Sequence, residues 1–180
     1  MRSVERDTHQ AHVLIGNRGY GEGHPYRTAL FLLNNIIGGP GMNSLLNVSL
    51  RENHGLVYTV ESTTFSYTDA GVWSIYFGCD ENDIGKCLRI VRNKLKELCL
   101  NPLSPTRLKA AKKQLTGQML IAADNFESYA LALGKTFAHT GKHRDINLFI
   151  EKIQNTTADD LLHVANDLFL EDQLTTLIYK

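Results

Sequence analysis

Residues 56–78 read LVYTVESTTFSYTDAGVWSIYFG. Two runs rich in Val, Tyr, Thr, Ile and Phe flank Tyr67-Thr68-Asp69-Ala70-Gly71. β-Branched and aromatic side chains suit a pleated, half-buried surface, and an Asp-to-Gly step suits a tight reversal. The stretch predicts strands over Leu56–Tyr67 and Gly71–Gly78, paired antiparallel through a hairpin.

Upstream, Thr8–Asn17 predicts a strand, and Gly16, Gly19, Gly21 and Gly23 predict the loop that follows. Pro25 opens a predicted helix over Tyr26–Ile36, with Leu30, Leu33, Ile36 and Ile37 on one face. Gly38-Gly39-Pro40-Gly41 ends it, and Asn43 or Ser44 caps a short second helix running to Arg51. Downstream, Asp80–Leu98 predicts a helix with Ile84, Cys87, Leu88, Val91, Leu95 and Leu98 on its apolar face. Ser104 reads as an N-cap with Pro105 at the first helical position, and the stripe that follows is Leu108, Ala111, Leu115 and Met119. Phe126, Ala130, Leu133 and Phe137 form a third stripe, ended by Gly141. Thr157-x-x-Asp160 resembles a capping box opening a helix to Phe169. Leu174–Tyr179 predicts a closing strand. Strands and helices do not alternate strictly. The expected fold is therefore α+β, a mainly antiparallel sheet with helices packed on one face, in one domain over residues 1–180.

The 180 residues suffice for one ordinary core. Apolar residues make up 43% and charged residues 21%, and 19 basic side chains balance 19 acidic ones. This balance gives no global argument for nucleic acid or an anionic membrane as a partner. No apolar run approaches a bilayer span, and Met1–His12 has no secretory h-region. Cys79, Cys87 and Cys99 form neither a disulfide framework nor a Cys-x-x-Cys site, and read as small buried hydrophobes.

Self-contained chemistry is hard to find. Neither His-Glu-x-x-His nor His-x-x-Glu-His occurs, nor does Gly-x-Ser-x-Gly. His9 and His12 are three apart on a predicted strand and point to opposite faces. Gly141 lies between His139 and His143, where the helix should stop. Gly38–Gly41 follows a helix and lacks Gly-Lys-Ser/Thr, so it reads as a helix-to-helix turn rather than a phosphate loop.

One segment is distinctive: residues 38–46, GGPGMNSLL, followed by residues 50–60, LRENHGLVYTV. It resembles the C-terminal domain of the insulinase/pitrilysin zinc peptidases, which include mitochondrial processing peptidase. The shared pattern is a Gly-Gly loop, Ser-x-Leu, Leu-Arg-Glu, Gly-Leu and Tyr-x-Val. His9–Val13, Tyr67–Gly71 and Ser104–Gln114 extend the likeness over nearly the whole chain. Pro40 stands where glycine is usual and Leu45 where arginine is common.

The resemblance implies a ferredoxin-like α+β domain, the C-terminal part of a longer two-domain subunit; Met1 standing close to the first strand fits this. It implies no metal or cofactor held by this chain, and zinc held by an upstream domain or a partner subunit. It implies two halves closing like a clamshell on an unfolded peptide, which lies as an added strand on a sheet edge. It also implies that Arg51 and Tyr58, seven residues apart, face that zinc site. A guanidinium offers a fixed fork of donors to a substrate carbonyl or carboxylate. A tyrosine hydroxyl can donate to the oxyanion formed at the peptide carbonyl. The plainer alternatives stand beside these roles: Arg51 in a helix-end salt bridge with Glu52, and Tyr58 as a half-buried strand residue. Three functions remain open: the substrate-binding domain of a zinc metalloendopeptidase, a non-catalytic partner or scaffold subunit, and an unrelated small-molecule module. A cytoplasmic or periplasmic bacterial setting is the expectation for the first two.

Overall fold

Along Ala11–Gly19 the odd-numbered residues Ala11, Val13 and Ile15 are buried, and Leu14 is 41% exposed. The opposing strand repeats this, with Trp73, Ile75 and Phe77 fully buried and Val72 45% exposed. A period of two in both partners fixes one face of the sheet to the core. The computed structural model describes residues 1–5, 10–141 and 145–180, and of residues 139 and 140 only the backbone. Five strands, β1 (Arg2–Val4), β2 (Ala11–Gly19), β3 (Val57–Ser66), β4 (Gly71–Cys79) and β5 (Thr175–Tyr179), form a sheet in the order β1-β5-β2-β4-β3. Among the described residues only β1 and β5 pair in parallel.

The helices α1 (Arg27–Gly38), α2 (Ile84–Leu100), α3 (Pro105–Ala123), α4 (Phe126–Thr140), α5 (Ile146–Asn155) and α6 (Ala158–Leu168) lie to the core side of the sheet. Leu30, Leu33 and Ile37 of α1, Val91 and Leu95 of α2, and Val164 of α6 close over Trp73, Ile75 and Phe77. A buried exchange ties α1 to β3: the Asn34 amide donates to the Ser62 carbonyl at 2.9 Å, and Ser62 Oγ donates to Asn34 Oδ1 at 2.6 Å. Beyond it, a Cβ on Gly38 would stand 2.6 Å from Ser62 N, so only glycine allows that approach.

The α+β expectation holds, with differences of detail. Ser104 caps α3 and Thr157 with Asp160 forms a full capping box on α6, as read. The strand read as Thr8–Asn17 runs from Ala11 and continues to Gly19, since Gly16 and Gly19 lie flat against the β4 backbone instead of leaving it. Thr8 and His9 fall outside the described residues. So does the His139–His143 pair, for which neither the His139 side chain nor His143 is described. β1 and α5 are additional elements; α5 is capped by Asp145, which accepts from Asn147 N at 2.8 Å. The helix read from Asp80 begins with a 3-10 turn at Glu81–Asp83.

The α4 stripe is a larger departure. The helix forms and ends at left-handed Gly141, but of its stripe Phe126 is 81% exposed and Phe137 53%, Ala130 is exposed too, and Leu133 is half-buried. Its neighbour is α3, whose own stripe already turns toward the core through Leu115. Cys79 and Cys87 are fully buried and Cys99 half-buried, its Sγ donating to the Ala165 carbonyl at 3.3 Å. The Cys79 sulfur beside it, and then burial, push the Cys87 thiol up.

Candidate functional site

Residues 39–56 connect α1 to β3. Leu46 and Leu50, four apart, are fully buried and anchor the segment. The predicted short helix is present but wider than an α-helix: Asn47–Glu52 is a π-helical turn, with Asn53 N donating to the Val48 carbonyl at 3.0 Å. Neither proposed cap operates. The Asn43 amide is paired reciprocally with Gln114, and Ser44 Oγ has no hydrogen-bond partner among the described residues. The freed carbonyls are satisfied one by one. His54 Nδ1 lies 2.7 Å from the Ser49 carbonyl, so the ring carries a proton there and donates. Leu56 N donates to Leu50 at 2.9 Å and Gly55 N to Arg51 at 2.9 Å. The last step needs Gly55 at φ +60°, a conformation that disfavours any side chain. Single π turns recur at functional sites because they re-aim side chains.

Arg51 sits on this turn, exposed, and no ion pair joins it to Glu52 or to any other carboxylate among the described residues. Its helix-end salt bridge is therefore not formed. Tyr58 follows seven residues later at a β-bulge: Val57 pairs with Cys79 and Thr59 with Gly78, leaving Tyr58 as the extra residue. A bulge breaks strict alternation, and Tyr58 and Thr59 both face solvent. Tyr58 is 56% exposed rather than half-buried in a face. Its hydroxyl donates to Asp80 Oδ1 at 3.2 Å. The Asp80 carboxylate, through its charge and then this hydrogen bond, raises the Tyr58 pKa.

Asp80 is the residue that sequence reading missed. It directly follows Cys79, so it stands beside the bulge only because Val57 pairs with Cys79. A correct register would have found it. Asp80→Asn removes the neighbouring negative charge, so phenolate becomes easier to form. Ultraviolet titration against Tyr58→Phe should show the Tyr58 midpoint falling toward the ordinary tyrosine value of 10.0.

His12 lies on the helix-free face, its Nδ1 2.8 Å from the Tyr76 hydroxyl. Among the described residues no group of three or more His, Cys, Asp or Glu side chains could hold a metal ion. Among the same residues no helix is long and apolar enough to cross a membrane.

Fold and site together define an α+β domain that displays a free guanidinium and a protonated phenol on one turn-and-strand unit, without a metal cluster among the described residues. Comparison with known proteins gives that class its family. The family model described as "Peptidase M16 inactive domain" matches residues 1–115. The uncharacterized zinc protease YmxG of Bacillus subtilis is 30% identical over 97% of this chain and 42% of its own length. An uncharacterized zinc protease of Streptomyces coelicolor is 30% identical over 92% of this chain and 36% of its own. A protease from Helicobacter pylori has the same fold, with a TM-score of 0.88 at 20% identity over 99% of this chain and 43% of that one. A peptidase M16 inactive domain from Pseudomonas fluorescens gives a TM-score of 0.85 at 21% identity, over 98% and 42%. The chain belongs to the peptidase M16 family and corresponds to its C-terminal, inactive domain. It spans about two fifths of the length of these curated relatives.

Proposed function

We propose that this chain is the substrate-binding domain of a zinc metalloendopeptidase that degrades unfolded peptides, with zinc held by an upstream domain. The carrying observation is the pair Arg51 and Tyr58. Both are solvent-facing, on a turn and a bulge braced by buried Leu46, Leu50 and Leu56, and Arg51 has no ion pair among the described residues. In this reading zinc supplies the activated water and polarises the scissile carbonyl. Arg51 binds and orients a substrate carbonyl or carboxylate. Tyr58 leaves its exposed contact with Asp80 and donates a hydrogen bond to the developing oxyanion.

Two surfaces support a clamshell partner. The helix-free face of the sheet presents Leu14, Phe65, Val72 and Tyr179, all at least 39% exposed, and an apolar face of that extent suits an opposing half. β3, an edge strand, is ten residues long, carries Tyr58 and can accept an extended peptide. A second reading is a non-catalytic subunit that completes a zinc-bearing partner, and the family model's description of this domain as inactive fits it as well as the first.

The experiment is to produce the longer protein that carries this domain, measure bound zinc and follow cleavage of an unfolded peptide. Bound zinc with cleavage that is lost on chelation is the expected result. A metal-free, inactive protein would overturn the peptidase reading in favour of the partner subunit.

A further inference from the structure

No described side chain of α4 is buried, although the helix has 15 residues and a capping Asn125. α4 packs mainly on α3. A helix of this length is marginal in water by itself and is stabilised chiefly by the face it covers. Here the cover is thin, and much of what is left outside is apolar. Phe126 is 81% exposed, Ile121 75%, Leu131 70% and Leu120 49%. Leu120 and Ile121 stand on one side of the corner Asp124–Asn125 that joins α3 to α4, and Phe126 on the other. The seam between the two helices is open as well. A cleft of about 190 Å³ there is lined by Met119, Tyr129, Leu133 and Ile146 among others, with no charged side chain in its wall.

Charge marks the same boundary. α3 carries Arg107, Lys109, Lys112 and Lys113 in its first half and no charged residue after them. Residues 114–138 hold three charged side chains in 25, Asp124, Glu127 and Lys135. Exposed apolar side chains are ordinary when scattered singly, but grouped ones mark an interaction surface. A surface both apolar and poor in charge suits a permanent interface, which resembles a core cut in half, rather than a transient one. The chain spans 42% and 36% of the length of two curated relatives, so more than half of such a protein lies outside this domain.

We propose that the α3–α4 corner, centred on Leu120, Ile121 and Phe126, is the surface on which the remainder of the longer protein packs. Phe126 and Leu131 are five residues apart and therefore point to different sides of α4, so this partner wraps the free perimeter of the helix instead of touching one line along it. The contact is separate from the helix-free face of the sheet and from Arg51 and Tyr58. It rests on the proposed upstream domain, but on neither zinc nor cleavage.

The test uses the longer protein and reads neither of those. Phe126→Cys is labelled with a maleimide under native conditions, beside Lys109→Cys on the exposed basic half of α3. The thiol at position 126 should react roughly tenfold or more slowly than the one at position 109. Amide hydrogen exchange of the unsubstituted longer protein is the second readout, and residues 126–133 should be protected as well as α2. Labelling at position 126 as fast as at 109, or free exchange across 126–133, would overturn the proposal. Slow labelling that is lost on dilution would also overturn it, by assigning the corner to a second copy. A zinc-free, inactive protein in which position 126 is still shielded would overturn the peptidase reading and leave this one standing.

Discussion

Arg51→Ala in the longer protein that carries this domain is expected to lower kcat/KM for an unfolded peptide by about 10²-fold or more, with no measurable loss of thermal stability. The stability half of this expectation rests on the structure. Arg51 is exposed, has no ion pair among the described residues, and lends only its backbone carbonyl to the turn, which alanine keeps. The activity half rests on the proposed role. If Arg51 binds ground state and transition state alike, KM rises; if it acts only on developing charge, kcat falls. Tyr58→Phe removes one oxygen from an exposed side chain and should act mainly on kcat, since a donor to an oxyanion has nothing to grip in the ground state. Arg51→Lys should recover little, because a point charge does not reproduce the planar fork. Steady-state kinetics beside a thermal melt separate the cases. Wild-type kinetics in either folded variant would remove that residue from the site and leave the family assignment intact.

Gly71→Ala should destabilise the domain by about 3 kcal/mol. A Cβ there would fall within van der Waals contact of the Tyr20 carbonyl oxygen and 2.6 Å from Tyr20 N and C, all backbone atoms. Tyr20 cannot retreat easily. Its hydroxyl donates to Asp167 at 2.6 Å, its carbonyl accepts from Ser66 Oγ at 2.9 Å, and its ring stacks on His24 at 3.9 Å. For a chain of this length the loss corresponds to a fall in Tm of roughly 6–12 °C. Gly117→Ala is the matched control. It lies inside α3 with open space where its Cβ would go, so the same chemical change should raise stability by about 0.5–1 kcal/mol. Opposite signs by calorimetry would establish close approach, not glycine content, as the constraint. Equal signs would refute it.

Much of the fold was legible because local chemistry and long-range packing agree. Thr157 and Asp160 make the capping box their spacing announced, and the 56–78 stretch forms the hairpin. Where they diverged, a tertiary contact decided. Gly16 and Gly19 look like loop residues, but they stay in β2 because the β4 backbone passes too close for side chains. Ser44 looks like a cap, yet its hydroxyl caps nothing, since the following turn widens to π geometry and meets its needs through His54, Gly55 and Leu56. α5 escaped notice although Asp145 caps it, because ten residues give a short periodic signal. The candidate site was legible as a spacing, Arg51 to Tyr58, but not as a geometry. The bulge that turns Tyr58 outward and the register that sets Asp80 beside it are pairings between strands, which no local pattern encodes.

By itself, then, the sequence determined the α+β class, the hairpin, the main helices and their caps, and the segment that marks the family, because these depend on side-chain period, backbone preference and short-range hydrogen bonds. Tertiary structure alone decided which apolar stripes are covered. α3 turns its stripe to the core through Leu115, while α4, packed mainly on α3, leaves Phe126 and Phe137 exposed. It also decided that Arg51 stands without an ion pair among the described residues. Exposure and charge pairing depend on what the rest of the chain places opposite a residue, and that is settled only when the elements pack.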